Sequence, residues 1–289
     1  MKKLAVISGK GGTGKTMVAG ALASLAECSI AFADCDVDAA NLEFLLNPKV
    51  ELTKPYYGLK VAEIDQDACT LCGLCEELCR FDAITFEDGR FSVNPIKCEG
   101  CAVCTLICPS DAIVMKTRIN GEIYYSKTGF GPFAHARLEP GSGTTGLLVT
   151  EVKKLIYEKA GDKELLLIDG PPGIGCPLIA TVTGVDAVLI VTEPSISGLH
   201  DLKRVVNVCN KFGVDIFVVI NKFDLEETVS LKIEDYCQEA GISLAGKIPF
   251  DKKVIEAIKN REPVVSQKCT SADAIKEIWI FLKKEFNLL

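Results

Sequence analysis

The chain has 289 residues, with 32 Lys and Arg against 39 Asp and Glu and a formal charge of −7. At 48% apolar residues and a mean hydropathy of +0.25 it is too rich in Val, Ile and Leu to stay disordered, and it is long enough for one large or two modest domains. The acidic balance argues against nucleic-acid binding through a broad basic face. No apolar run reaches the roughly 18 residues that span a bilayer, so the expectation is a cytoplasmic protein that does not bind membranes.

Fourteen cysteines in a chain with no secretion signal point to metal or redox chemistry in a reducing compartment rather than to a disulfide framework. Eight of them fall between Cys69 and Cys108. The other six, Cys28, Cys35, Cys176, Cys209, Cys237 and Cys269, stand among apolar neighbours and read as small buried hydrophobes.

In chain order, Lys3 to Ser8 is a short strand, a Gly-rich turn follows, and Thr16 to Glu27 reads as a helix of small residues. Ser29 to Asp34 is a second buried strand, followed by an acidic turn and a short helix from Asn41 to Leu46. The pattern breaks near Pro48. Between Asp65 and Lys116 the composition turns cysteine-dense and acidic, with nine Asp and Glu against four Lys and Arg, as in an inserted domain. Asn120-Gly121 between β-prone neighbours predicts a type I′ hairpin closing that insert. Phe130 to Gly146, rich in Gly and Pro, reads as a loop or joint in which His135 and Arg137 are solvated. Glu164 to Ile168, Asp186 to Val191 and Asp215 to Ile220 are continuous apolar runs, as expected of strands buried on both faces of a parallel sheet. A strand at Ile242 to Ile248 and helices at Lys252 to Asn260 and Ser271 to Phe286 follow. The last is amphipathic through Ile275, Ile278, Trp279, Leu282 and Phe286, a face that packs on a sheet more often than on a membrane.

Gly9-Lys10-Gly11-Gly12-Thr13-Gly14-Lys15-Thr16 matches G-x-x-x-x-G-K-[ST] between an apolar strand and a helix, the context of a phosphate-binding loop rather than of a merely structural turn. Glycines let successive N–H groups converge on phosphate oxygens, Lys15 reaches the β and γ phosphates, and Thr16 is placed to ligate magnesium.

The run Lys10-Gly11-Gly12-Thr13-Gly14-Lys15-Thr16 resembles the deviant Walker A segment of the MinD, ParA, Mrp and nitrogenase iron-protein superfamily. The resemblance implies an ATP-dependent homodimer in which Lys10 contacts nucleotide across the dimer. Asp34-Cys35-Asp36-Val37-Asp38 resembles switch I of that superfamily, and Leu165 to Gly173 resembles its Walker B and switch II segment. Carried onto this chain, the resemblance makes Asp36 the group that orients the attacking water and Asp169 the partner of magnesium and its waters. Asn221 matches the adenine-reading Asn, and Ile248-Pro249-Phe250-Asp251 matches the late adenine-side segment. Plainer readings exist beside these: Asp34 or Asp38 as a cap of the following helix, and Asn221 as a left-handed turn residue.

Cys69-x2-Cys72-x2-Cys75-x3-Cys79 and Cys98-x2-Cys101-x2-Cys104-x3-Cys108-Pro109 are two copies of the bacterial ferredoxin run. In that run three thiolates grip one 4Fe-4S cube and the fourth crosses to the other. The expected ligand sets are Cys69, Cys72, Cys75 and Cys108 for one cube, and Cys98, Cys101, Cys104 and Cys79 for the other. Zinc sites usually space their ligand pairs further apart. The segment resembles a two-cluster bacterial-type ferredoxin with one departure, Arg80 where Pro is usual. A cation there would favour the reduced cube, and Glu76, Glu77 and Glu99 would oppose it.

Together the resemblances imply an α/β, doubly wound, mostly parallel sheet of the deviant Walker A P-loop type, with an inserted small α+β ferredoxin-like domain. Residues 1–64 and 117–289 would form the ATPase domain and residues 65–116 the insert. The expected cofactors are ATP, Mg2+ and two 4Fe-4S clusters; the expected partners are ATP or ADP, a second copy, and a redox or metallocofactor protein. The leading reading is ATP hydrolysis coupled to electron transfer. The alternatives are a cluster or metallocofactor assembly carrier, against which Cys269 stands alone where Mrp-type carriers keep a Cys pair, and a MinD-like positioning module with structural or sensory clusters. Cys176, just after switch II, reads as a packed cysteine ahead of thiol chemistry or a cluster bridging two copies.

Overall fold

The computed structural model describes residues 1–27, 29–139, 142–143 and 145–287. The chain forms two compact units, one of Met1–Thr53, Ile123–Ala136 and Thr145–Leu289, the other of Lys54–Glu122 and Arg137–Thr144. β1 (Lys2–Ser8), α1 (Lys15–Leu25), β2 (Ile30–Asp34) and α2 (Leu42–Leu46) open the first unit. β3 (Lys49–Tyr57) leads to β4 (Val61–Ile64), α3 (Leu74–Glu77), β5 (Ile84–Glu87), β6 (Arg90–Val93), α4 (Val103–Ile107) and β7 (Ile113–Lys116) of the second. β8 (Ile119–Lys127) and β9 (Pro132–Leu138) follow, then α5 (Thr145–Ala160), β10 (Leu165–Pro172), α6 (Cys176–Val182), β11 (Ala187–Thr192) and α7 (Ile196–Asn210). After these come β12 (Asp215–Asn221), α8 (Glu227–Glu239), β13 (Ser243–Ile248), α9 (Lys252–Lys259) and α10 (Thr270–Phe286).

A sheet runs in the order β13-β12-β11-β1-β10-β2-β9-β8-β3, and its pairings from β13 to β9 are parallel. Both faces are covered, which is why these strands read as unbroken apolar runs. In β1, Leu4 and Val6 join the cluster of Met17, Leu22, Trp279 and Leu282, while the alternate residues Ala5 and Ile7 are buried on the other face. α6 packs on β1 and β10 and α7 on β11, with Leu178, Val182, Leu202 and Val205 buried. The doubly wound α/β expectation holds for this unit. α10 spends its apolar face on this core, and among the described residues no helix is long and apolar enough to cross a membrane.

Two local readings of the sequence are corrected. Asn120-Gly121 lies inside β8, not in a turn. Asn120 Oδ1 accepts the Gly58 N–H at 2.9 Å, its backbone carbonyl accepts the Glu139 N–H at 2.8 Å, and a Cβ on Gly121 would strike the Arg137 carbonyl oxygen. The turn falls at 128–131, where Thr128 Oγ1 accepts the N–H groups of Phe130 at 3.1 Å and Gly131 at 3.0 Å. The stretch from Phe130 to Gly146 is likewise not loop throughout, because its Gly and Pro residues flank an apolar run that becomes β9. His135 is therefore buried, stacked on Phe133 at 4.6 Å and Tyr124 at 4.9 Å with Nε2 3.1 Å from Ser126 Oγ, while Arg137 is exposed. Of the scattered cysteines, Cys35, Cys209 and Cys237 are buried as expected and Cys269 partly so. Cys176 is exposed, against expectation, because it opens α6 at the sheet's C-terminal edge. Cys28 lies outside the described residues.

The second unit is built twice. Cys69 and Cys98 stand 29 residues apart in the sequence, and the same step carries Cys72, Cys75 and Cys79 onto Cys101, Cys104 and Cys108. It also carries β4 onto β6 and β5 onto β7. Left-handed backbone recurs at matching places: Leu71 and Gly100, Gly73 and Ala102, Asp82 and Asp111. Hydrogen bonds recur as well. Cys79 Sγ accepts the Ala83 N–H at 3.4 Å and Cys108 Sγ accepts the Ala112 N–H at 3.3 Å; Asp65 N–H donates to Ala112 O at 2.8 Å and Asn94 N–H to Ala83 O at 2.7 Å. The pairing exchanges strands between the copies, since β4 pairs with β7 and β5 with β6, both antiparallel.

The placement of Gly121 and Gly129 gives a direct test. Gly121→Ala forces a Cβ onto a backbone carbonyl and is expected to cost about 1–3 kcal/mol, whereas Gly129→Ala, with nothing within 4 Å, is expected to change stability by less than about 0.5 kcal/mol. Denaturant unfolding of the two variants checks this; equal losses would restore the turn to Asn120-Gly121.

Candidate functional site

The first unit gathers its polar groups at the C-terminal ends of its parallel strands, where such sheets bind ligands. Gly9 to Thr16 bridge β1 and α1, with Gly12 and Gly14 at φ of 82° and 90°, a conformation that side chains resist. A Cβ on Gly14 would strike Asn221 Nδ2, which itself donates to the Thr13 carbonyl at 2.7 Å. Gly11 and Gly12 face open space, so the loop forms a cradle on one side and packs tightly on the other. Asn221 ends β12 and is buried; the left-handed residue is its neighbour Lys222 at φ 58°.

Lys15 points inward. Its Nζ lies 2.7 Å from Asp169 Oδ1, 3.2 Å from Asp36 Oδ2 and 3.4 Å from Thr16 Oγ1. Asp34 and Asp169 are opposite each other in β2 and β10 and both are fully buried. Burial pulls the Lys15 ammonium down, but Asp169, Asp36 and Asp34 outweigh it and hold the pKa above its ordinary value. Burial and then the Asp169 charge push Asp34 well above the carboxylate range, against Lys15. Burial raises Asp36 too, with Lys15 opposing. Asp34, not Asp38, supports the turn: its oxygens accept the N–H groups of Asp36 at 3.0 Å and Leu42 at 3.1 Å. Carboxylates outnumber the cation here, and Asp169 Oδ2 and Thr13 Oγ1 are buried with no partner. That donor set fits a hydrated divalent ion and a phosphate group.

Lys10 points away from this cluster, with Nζ 2.7 Å from Glu193 Oε1, 3.1 Å from Ser195 Oγ and 3.0 Å from Ser197 Oγ. Glu193 and the two serines are functional-site residues that sequence reasoning missed; the only signal was a polar Thr-Glu-Pro-Ser run just after an apolar strand. Beside the loop, Gly12, Gly14, Met17, Asn221, Lys222, Pro249, Phe250 and Ile258 line an open cleft of about 650 Å³ including its solvent-filled mouth. Asn221 and Pro249 thus share one cleft.

In the second unit, Cys75 and Cys79 of the first run line one apolar cavity with Cys98, Cys101 and Cys104 of the second, together with Leu78, Phe81 and Met115. Cys69, Cys79, Cys98, Cys104 and Cys108 all pack on the small core around Ile64, Cys75, Ile84 and Ile113. Burial, then Cys98 and Cys101, push the Cys104 thiol up. Leu71 and Ala102 hold left-handed φ of 57° and 63° inside the runs, a strain that persists only where the surroundings demand it. Among the described residues no three His, Cys, Asp or Glu side chains are gathered for a single metal ion. The cysteine loops and the cavity they line form a candidate thiol donor set, a chemistry that suits iron–sulfur clusters.

Residues 4–264 match the family described as the CobQ/CobB/MinD/ParA nucleotide binding domain. The chain is 37% identical over 284 residues to an uncharacterised protein of Methanocaldococcus jannaschii, covering 98% of this chain and 96% of that one. It is 27% identical over 293 residues to the iron-sulfur cluster carrier protein of Pyrococcus horikoshii, covering 93% and 81%. Among solved structures, the septum site-determining protein MinD complexed with Mg-ADP from Pyrococcus horikoshii aligns with a TM-score of 0.59 at 20% identity over 98% of this chain and 96% of that one, a likeness of fold.

Removing the Lys15 cation would leave buried carboxylates uncompensated. Lys15→Ala is expected to lower stability by about 3 kcal/mol near pH 8 and to abolish nucleotide binding. Without Lys15, the folded-state pKa values of Asp34 and Asp36 rise further above their unfolded values, so the variant loses stability as pH rises from the carboxylate range upward. The gap from wild type should widen between about pH 5 and pH 8; a pH-independent gap in denaturant titrations would refute the charge argument.

Proposed function

We propose that this chain, which belongs to the CobQ/CobB/MinD/ParA nucleotide binding domain family, is a MinD/ParA-type P-loop ATPase that acts as a homodimer coupling ATP hydrolysis to electron transfer through two 4Fe-4S clusters in its second unit, with a metalloprotein as acceptor.

The observation that carries the cluster half is the exchanged repeat. Two copies of one cysteine loop, related by a constant step and sharing strands, supply the symmetry that two cubes with crossed fourth ligands require. Cys69, Cys72, Cys75 and Cys108 would hold one cluster, and Cys98, Cys101, Cys104 and Cys79 the other. Cys75 and Cys79 of the first run share a cavity with the second run, so thiols of the two copies lie close enough for sets drawn from both. Bound there, the clusters would supply one-electron carriers.

At the phosphate loop, the N–H groups of Gly11, Gly12, Thr13 and Gly14 would receive phosphate oxygens. A phosphate reached by Lys15 would take over the ammonium now held by Asp169 and Asp36 and release both carboxylates. Asp169, with Thr16, is then free to hold magnesium and its waters, and Asp36 to orient the attacking water. Asn221 and Pro249 would flank the base in their shared cleft. Lys10 would reach the nucleotide of the second copy. From Asp36 the chain passes through α2 and β3 into the second unit, so reordering of this segment around a γ-phosphate has a covalent route to the cysteine loops.

Likeness to an iron-sulfur cluster carrier protein favours a second reading, in which ATP controls cluster transfer. Against it, each cysteine run is tied into a strand-exchanged repeat, which is poor cargo.

Anaerobically purified protein is expected to carry about eight irons per chain. In a redox titration followed by electron paramagnetic resonance, Mg-ATP should shift a cluster potential by more than about 60 mV, a tenfold change for one electron. Iron-loaded, ATP-hydrolysing protein with unmoved potentials would sink coupling through the potential and leave cluster transfer as the better account. Cys79→Ser should disturb the cluster of Cys98, Cys101 and Cys104 rather than that of its own run. For the ATPase half, Asp36→Asn should lower hydrolysis at least about a hundredfold while Mg-ATP still binds, as read by single-turnover assay and equilibrium binding.

A further inference from the structure

The docking of Lys10 goes beyond its role as a contact between copies. An ammonium has three N–H donors, and this one meets three acceptors: Glu193 Oε1 at 2.7 Å, Ser195 Oγ at 3.1 Å and Ser197 Oγ at 3.0 Å. Glu193 and Ser195 belong to the turn between β11 and α7 and Ser197 to the first turn of α7, a segment that is fixed without Lys10. Ser195 Oγ accepts the Gly198 N–H at 3.0 Å, Ser195 N–H donates to Glu193 O at 2.8 Å, and Thr192 Oγ1 donates to Gly198 O at 3.3 Å. A Cβ on Gly198 would strike the Glu193 carbonyl, so the turn is as tight as the chain permits. Gly9 approaches α7 so closely that a Cβ there would lie 2.6 Å from Asp201 Cβ, which starts the Lys10 stem beside its receiver.

Glu193 is the only charged acceptor of the three and is shared. Its Oε2 lies 3.5 Å from Lys222 Nζ, which also reaches the Gly12 carbonyl at 3.4 Å. Burial pushes the Glu193 carboxyl up, but Lys10 and Lys222 outweigh it and hold the pKa below its ordinary value, so the group stays ionised at neutral pH.

We propose that Glu193 is a positioning residue that latches Lys10 in cis, holding the ammonium on its own chain's α7 turn and so setting how readily two copies associate on nucleotide. The inference rests on the reading of Lys10 as the contact to the second copy's nucleotide. With all three donors engaged, Lys10 cannot meet a phosphate until the latch opens. The apparent association constant is therefore scaled by the fraction of chains in which Lys10 is released, and a dimer needs two such chains. Loss of the Glu193 charge raises that fraction.

The test is sedimentation of the full chain, purified anaerobically, with Mg2+ and the non-hydrolysable analogue AMP-PNP, for wild type, E193Q, S197A, K10A and K10A/E193Q. E193Q is expected to tighten dimerisation at least about fivefold, the scale of one partly exposed charge pair acting twice, with S197A giving a smaller gain in the same direction. K10A should weaken dimerisation, and E193Q should not restore it. If K10A weakens association but E193Q and S197A leave it unchanged or weaker, the latch is wrong and the trans reading of Lys10 stands. If K10A dimerises like wild type, that reading fails and the latch fails with it. If E193Q tightens association equally in the K10A background, Glu193 acts through something other than Lys10 and the latch is again overturned. S197A keeps the test open should E193Q fail to fold.

Discussion

The site depends on one buried ammonium held against carboxylates on neighbouring strands. Lys15 lies 2.7 Å from Asp169 at the end of β10 and 3.2 Å from Asp36 just beyond β2. An ammonium this buried is tolerated only because it is paired, and the carboxylates are tolerated only because it is there. The parallel register sets up the meeting, since Val6 pairs with Asp169 and Asp169 with Asp34, so the loop leaving β1 starts beside Asp169, with β2 and its acidic end one strand further on. Burial raises the pKa values of Asp34 and Asp36 with Lys15 opposing, and Asp169 Oδ2 is buried without a partner. A site strained by unmatched negative charge is one in which a metal-bound phosphate competes on favourable terms for the same groups.

What the sequence revealed and what it hid divides by range. The phosphate loop was legible because its glycines, Lys15 and Thr16 are contiguous and sit between two apolar runs, so the local signal carries its own context. The cysteine runs were legible for the same reason: spacing is the signal, and the repeat step is visible without coordinates. Asn120-Gly121 misled because a strong local turn preference lost to partners distant in sequence, Gly58 and Glu139, which use Asn120 as a cross-link within a strand. The sequence left the helix-supporting carboxylate open between Asp34 and Asp38, because burial, which favours Asp34, has no sequence marker. Glu193 had no motif at all. Its partner Lys10 is 183 residues away, and only the parallel order β11-β1 brings their strand ends together.

Strand exchange in the second unit was also beyond sequence. Repetition at a fixed step says that two similar pieces exist, not whether each closes on itself. The pairing of β4 with β7 and of β5 with β6 decides it: neither copy closes on itself, because each lends its strands to pairing with the other. The crossing of the fourth cysteine proposed above would use the same exchange, with Cys75 and Cys79 of the first run lining one cavity with Cys98, Cys101 and Cys104 of the second.

The second unit also has little core with which to stabilise itself. Its cluster has six buried apolar residues, Ala62, Ile64, Cys75, Ile84, Phe91 and Ile113, with most of what packs around them being further cysteines. Two-stranded sheets of four-residue strands are marginal in water, and domains of this size usually need a staple. The left-handed Leu71 and Ala102 add a conformational cost. On the ligation proposed here, thiolate–iron bonds supply the missing stabilisation, and because each set spans both copies they also lock the exchanged strands. Folding of the unit and loading of such clusters would then be one event, and the clusters would be resident parts of the chain rather than material in transit.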